Sequence, residues 1–361
     1  MKRKWLMSGA ALIIGIPLIL SGCGQWGASQ QADNPKNVNY IDQGDSLNKK
    51  QNENKKNEET SAKMGDQNAE TASRTLYLVD KNGLVVPQTF QLPIPKGGGV
   101  AQQALQYLVK GGPVSNLLPN GFQAVLPAGT DVIAANLNNG TLTVNFSKPF
   151  ASYKKSQEKN ILQAVTWTAT QFDNIDHVKI QVDGVAQKAM PVKGTPIGPK
   201  GASRSDGINE EIGQVVDVTG TRPVTLYFPA QVGNEYYYVP VTTRMNVGKG
   251  KVVAAVNGLL NGPSSNDGLL DVFGKNVQLL GDPQFHNGVV TLNFNKAIYS
   301  DPKKKTISTE QLDALVLSLT SQPRIHKVAI QVNGKASVKT EAGKVLSKPV
   351  SRGQVVKTVG L

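Results

Sequence analysis

The chain has 361 residues, a formal net charge of +13 from 39 basic and 26 acidic side chains, 39% apolar residues and a single cysteine. That apolar fraction is ample for the cores of about two domains of ordinary size, which excludes a wholly unfolded chain. One cysteine excludes an internal disulfide and a Cys-rich zinc cluster, so a stable fold must rest on packing alone.

The first element is a targeting segment. Lys2, Arg3 and Lys4 form a basic start, and Trp5 to Leu20 carry no charge, the pattern of a secretory signal. With Pro17 inside it, the stretch is short for a spanning helix, which needs about 20 apolar residues, so cleavage is expected. It ends in Leu20-Ser21-Gly22-Cys23, which resembles a bacterial lipobox, where small residues fit a peptidase pocket and the cysteine thiol is diacylglycerated. Residues 1–22 are therefore read as a lipoprotein signal peptide and Cys23 as the lipidated first residue. Each buried methylene of the acyl chains contributes about 0.8 kcal/mol, so two long chains hold a protein on a bilayer persistently. No run of 18 apolar residues recurs after Cys23, and the rest of the chain is expected at the extracytoplasmic face of the cell membrane.

Residues 23–75 form the expected tether. Gly24 to Thr75 is rich in Asn, Gln, Lys, Asp and Glu, with a net charge of −1, and such a segment cannot bury enough apolar surface to fold. As a disordered coil it has a root-mean-square reach of about 40 Å, long enough for a spacer between membrane and domain.

From Leu76 onward the chain repeats itself at a period near 150 residues. Leu76-Tyr77-Leu78 recurs as Leu226-Tyr227-Phe228, and Gly112-Pro113 as Gly262-Pro263. Gly140 to Lys148 answers to Gly288 to Lys296, and Val178 to Gly184 answers to Val328 to Gly334. The expected organisation is a first domain at 76–198, a linker at 199–221, a second domain at 222–348 and a tail at 349–361.

Within one unit, Leu76 to Val79 reads as a short strand and Leu84 to Leu92 as a second, which Pro87 assigns to a sheet edge. Val100, Ala104, Leu105, Leu108 and Val109 have helical spacing, and Gly111-Gly112-Pro113 stops that helix, as Asn261-Gly262-Pro263 stops its twin. Val132 to Leu137 and Thr141 to Phe146 alternate as strands around Asn138-Asn139-Gly140, a tight hairpin that Asn287-Gly288 repeats. Ile161, Val165, Ala169 and Phe172 line one face of a helix. In the second copy Leu312, Leu315, Val316 and Leu319 do so after a capping box at Ser308 and Gln311. A final strand closes each unit. The fold class expected is α+β, two tandem small domains, each a mixed sheet covered by two helices.

Val239-Pro240-Val241-Thr242-Thr243-Arg244, Leu259-Leu260-Asn261-Gly262-Pro263 and Val328 to Gly334 resemble the GerMN domain. The whole layout of lipobox, tether and two domains resembles the GerM family of sporulation and germination lipoproteins. The first copy departs from the pattern at Ile94-Pro95-Lys96-Gly97, where the Thr-Arg pair is missing, so a role for Arg244 does not carry to both domains. The resemblance implies a part in spore formation and germination, a location between the membranes of the developing spore, and similarity to ring-building domains that assemble secretion-type channels.

The inventory for chemistry is thin. With Cys23 lipidated, only His177, His286 and His326 remain as neutral-pH bases. His286 falls at a turn, and the other two precede the closing strands one register apart. No H-E-x-x-H, G-x-S-x-G or Walker A motif occurs. Gly97-Gly98-Gly99 precedes a helix without the Gly-Lys-Ser or Gly-Lys-Thr of a phosphate loop. No catalytic residue, metal ligand or cofactor is assigned. The folded part, from Leu76 on, carries +11. Lys154 and Lys155 in copy one, and Lys303, Lys304 and Lys305 in copy two, precede the second helix, where cations oppose the helix dipole. They are read as candidate contacts to an anionic surface, set against an ordinary solvated loop. Tyr236-Tyr237-Tyr238 is a second candidate contact, equally explained by packing.

The function expected is that of a non-enzymatic, membrane-anchored assembly or scaffold component of an envelope-spanning complex. Its partners are the membrane, envelope proteins and copies of itself, with nucleic acid excluded by export. The alternative is a hydrolase or binding module for cortex peptidoglycan, which needs clustered carboxylates in a glycan-sized groove.

Overall fold

The computed structural model describes residues 70–97, 99–211, 220–264 and 267–359. The signal segment, Cys23 and nearly all of the expected tether lie outside the described residues. The first repeat opens with a hairpin of β1 (Thr71–Asp80) and β2 (Val85–Pro93), in register from Thr71 opposite Pro93 to Val79 opposite Val85. β1 begins before Leu76, in a polar stretch whose pairing is carried by backbone and not by an apolar face. Asp80 closes the turn, its Oδ1 accepting the amides of Asn82 at 2.9 Å and Leu84 at 2.8 Å. The helix α1 (Val100–Gln106) ends earlier than the apolar spacing predicts. Leu108 and Val109 are still buried, but in the turn that follows, where the Leu108 carbonyl accepts from Val125 and Leu126. Next comes β3 (Phe122–Gln123), which pairs with β1.

A separate mixed sheet follows, in the order β4 (Val132–Asn138), β5 (Thr141–Phe146), β6 (His177–Val182), β7 (Val185–Ala186). β4 and β5 are antiparallel, whereas β5 and β6 are parallel and joined through α2 (Glu158–Ala169). Asn139 and Gly140 take φ of 46° and 74°, the positive pair that a tight hairpin demands. The strands of one repeat thus divide between two sheets. The physical reason lies in α1. Its Gln102 donates to the Val132 carbonyl at 2.7 Å and its Gln106 accepts the Val132 amide at 2.8 Å, so helix side chains satisfy the start of β4.

The second repeat has the same plan, with a long hairpin of β8 (Thr221–Val232) and β9 (Glu235–Asn246), then α3 (Lys251–Asn261). Its mixed sheet has β10 (Gln284–His286) and β11 (Val289–Phe294) beside later strands. After β11 the chain forms β12 (Thr306–Ile307), α4 (Thr309–Leu319), β13 (Lys327–Val332), β14 (Lys339–Thr340), β15 (Val350–Ser351) and β16 (Thr358–Val359). The sheet order is β10, β11, β13, β15, with β11 and β13 parallel. The predicted capping box is present: Ser308 Oγ accepts the Gln311 amide at 3.1 Å, and Gln311 Oε1 accepts the Ser308 amide at 2.9 Å. Phe146 and its twin Phe294 are fully buried, each contributing about 2 to 3 kcal/mol by leaving water. In both repeats the hairpin is pinned to the second helix by one hydroxyl. Thr168 accepts the Tyr77 amide at 3.0 Å and Ser318 accepts the Tyr227 amide at 2.8 Å.

The two repeats are bound together at their hairpins. Tyr237 on β9 donates to Asp80 at 2.8 Å and meets Phe122 edge-on with ring centroids 5.0 Å apart. Asn209, at φ 45°, bonds both backbone groups of Val85 and also the Pro240 carbonyl, at 2.7 to 2.9 Å. It therefore bridges β2 to β9. The segment between the repeats is packed at its start. Ala202 forms a bridge with Val178, and Gly201 sits at φ 102° with the Val178 carbonyl where a Cβ would be, 2.6 Å away. Finally, β16 pairs in parallel with β2, Thr358 opposite Thr89 and Val359 opposite Phe90. Pro87 lies on β2, which is the outer strand of its hairpin and is covered only in part, where β16 pairs with it.

Candidate interaction surfaces

The lysine loops are built differently in the two repeats. Lys154 and Lys155 are exposed on a short turn ahead of α2, and Glu158 fixes the base of that turn. Fully buried, its carboxylate accepts from Tyr153 Oη at 2.9 Å and from the amides of Val192, Lys193 and Thr195 at 2.6 to 3.0 Å. Burial pushes its pKa up, but the hydrogen bonds outweigh burial and hold it at about 2. A carboxylate in the first turn also suits the helix dipole, which the lysines oppose. In the second repeat Asp301 Oδ1 accepts the amides of Lys303 and Lys304, which holds its pKa below the ordinary value. Lys305 takes φ 57°. Lys304 pairs loosely with Asp301 at 3.6 Å, while among the described residues Lys154, Lys155, Lys303 and Lys305 make no ion pair. Each repeat thus presents one basic loop ahead of its second helix.

The other candidates scatter. His177 begins β6, His286 ends β10 beside Asn287, and His326 lies just ahead of β13. Among the described residues no three His, Cys, Asp or Glu side chains gather as a metal site, and no helix is long and apolar enough to cross a membrane. Of the tyrosine triplet, Tyr237 is buried at the repeat junction and Tyr238 donates to Asp313 at 2.9 Å, which leaves Tyr236 as the exposed ring. Arg244 bonds Thr221 across the β8–β9 hairpin at 3.1 and 3.2 Å.

A surface not foreseen from the sequence lies at the sheet edges. β4 is the outermost strand of its sheet and β10 of its own. Leu137 on β4 stands opposite buried Leu142, and Phe285 on β10 stands opposite buried Val290. Both are exposed, by 39% and 61%, and both immediately precede the twin Asn-Gly turns. The apolar face of each sheet therefore runs out to its free edge and ends in the open. A register shift between Val132 and Ala134 adds Ile133, 52% exposed, to the first edge. Bulky apolar side chains on an unpaired edge strand are what strand addition from another chain uses. Their signal was present in the repeat alignment, as one large apolar residue at the same step before each turn.

Phe285 also lines a groove of about 370 Å³ together with apolar Val252, Pro283 and Ile325 and with the charged Lys249, Lys251, Arg324 and Asp282.

Residues 75–188 and 225–338 match the family described as Germane: Sporulation and spore germination. The chain is 46% identical over 349 residues, 94% of its own length and 94% of the relative's, to "Spore germination protein GerM" of Bacillus subtilis (strain 168). Its structure is similar to that of the "Tandem GerMN domains of the sporulation protein GerM from Bacillus subtilis", with a TM-score of 0.72 and 48% identity, covering 80% of this chain and 100% of that one.

Proposed function

On the premise that the chain belongs to the Germane family of sporulation and spore-germination proteins, we propose that it works as a lipid-anchored, non-enzymatic assembly component in the envelope of the developing spore. The observation that carries this reading is the pair of twin sheet edges at Leu137 and Phe285, each ending an apolar sheet face in the open. Two repeats with equivalent open edges can take neighbours on both sides, envelope proteins or further copies of the chain, provided each contact buries about 1,000 Å² or more. The lipobox at Leu20 to Cys23 supports anchoring through Cys23 at the extracytoplasmic face of the membrane, and the basic loops at Lys154–Lys155 and Lys303–Lys305 support contact with anionic head groups or an acidic partner.

Crosslinking in sporulating cells, followed by identification of the captured neighbours, tests the proposal. Protein neighbours captured by the native chain and lost from a Leu137→Glu, Phe285→Glu double variant support it. Capture of glycan fragments alone, or turnover of purified peptidoglycan, would overturn it in favour of a wall enzyme or wall-binding module. A Cys23→Ala chain that stays at the membrane would overturn the anchor.

A further inference from the structure

Where the two hairpins meet, the repeats enclose a half-open cavity of about 490 Å³, and its lining comes in twin pairs: Tyr77 with Tyr227, Arg204 with Arg352, Thr170 with Thr320. Each arginine follows the closing strands of its own repeat and folds back onto the last turn of that repeat's second helix. Arg204 donates to Thr170 Oγ1 at 2.9 Å and to the Trp167 carbonyl at 3.3 Å, with its guanidinium 4.6 Å from the Trp167 ring centre. Arg352 donates to the Leu317 carbonyl at 2.9 Å and lies 4.8 Å from the Tyr227 ring centre. These contacts use some of the five N–H donors on each guanidinium and leave the others. No carboxylate pairs with either arginine among the described residues.

Two guanidiniums at the wall of one cavity repel each other, and a partly desolvated cation without a counter-charge is costly. The tyrosines sharpen the point. Tyr227 is fully buried, lines the cavity, and its hydroxyl makes no hydrogen bond of ordinary length. Burial alone would raise its pKa, yet Arg352 and Arg204 together draw it below the ordinary value, while burial and the neighbouring Tyr227 raise that of Tyr77. The cavity therefore has a positive field on its wall, with the buried Tyr227 hydroxyl set behind it next to Arg352 and Tyr77. The other charged groups on its wall are Asp173, exposed at the rim, and Lys357, which reaches Glu235 at 3.5 Å.

We infer that this junction is a binding site for a small oxyanion, a carboxylate or phosphoryl group held between Arg204 and Arg352. Planar guanidinium forks match both groups in geometry, which a point charge does not. The cavity has room for such a head group and a modest body attached to it. The site draws on both repeats, so a bound anion bridges them. The inference does not depend on the assembly role proposed above, since it concerns the repeat junction and not the sheet edges.

The test is calorimetric titration of the full chain with inorganic phosphate and, separately, succinate, against chloride at matched ionic strength. Saturable binding of phosphate or succinate beyond chloride is expected, and whichever saturates at the lower concentration distinguishes phosphoryl from carboxylate. Arg352→Lys and Arg204→Lys each keep the charge but lose the fork. Each should weaken binding about tenfold or more, the usual worth of a charge-assisted hydrogen bond. Binding no better than chloride, or equal affinity in native chain, Arg352→Lys and Arg204→Lys, would overturn the inference.

Discussion

The Tyr237 hydroxyl donates to Asp80 Oδ2 at 2.8 Å across 157 residues of sequence, joining the second repeat's hairpin to the turn of the first. Both residues are buried, and the other Asp80 oxygen is occupied by the amides of Asn82 and Leu84. Tyr237→Phe therefore leaves one carboxylate oxygen in the junction without a partner. It should lower the unfolding free energy by about 1.5 to 3 kcal/mol, read by urea denaturation. No change in midpoint or slope would mean that the two repeats do not depend on this bond.

Glu158 gives the protein part of its acid sensitivity. Its folded pKa of about 2 lies below the unfolded value of 4.5, so its contribution is complete above pH 4.5 and is lost as pH falls toward 2. The contribution is about 2 to 3 kcal/mol. Glu158→Gln should be destabilised by that amount at pH 7 and should show a flatter loss of stability between pH 4.5 and 2. Parallel curves for the two proteins would contradict the assignment.

Asp313 has the opposite sign. Burial inside α4 raises its pKa from 3.8 to about 6, although the Tyr238 hydroxyl pulls the other way. A carboxyl with a raised folded pKa costs nothing below pH 3.8 and becomes unfavourable as pH rises through 6. Asp313→Asn keeps an acceptor for Tyr238 and removes the buried charge. It should raise stability at pH 8 by about 2 kcal/mol and leave it unchanged near pH 3.5, as melting curves at the two pH values would show.

Reversing Lys154, Lys155, Lys303, Lys304 and Lys305 to glutamate should leave the melting temperature nearly unchanged, because the side chains are exposed and only Lys304 is paired. Co-sedimentation with vesicles containing anionic lipid should fall sharply, with most of the native binding lost by 0.5 M salt, where the Debye length is only about 4 Å. Equal sedimentation of native and reversed chains would return these lysines to the status of solvated loops.

Locally encoded features were legible in the sequence. The Asn139-Gly140 and Asn287-Gly288 turns, the Ser308 and Gln311 box, and the apolar faces of α2 and α4 each depend on residues a few positions apart. The repeat itself made the α+β tandem architecture readable twice. Features set by distant partners were not. β16 has two residues, too few for a periodic pattern, and exists because β2, far away in the chain, pairs with it. The same holds for Asn209 between β2 and β9, and for Arg204 and Arg352, which no local pattern marks and which the fold brings to one cavity. Phe285 looked like an ordinary strand residue, because nothing in a sequence marks a sheet's outermost strand as uncovered.

The pairing of Thr358 and Val359 with Thr89 and Phe90 has a temporal consequence. During synthesis the amino-terminal hairpin appears first, yet its outer ladder is completed by residues that follow the whole second repeat, so β2 keeps an open flank until that repeat has been made.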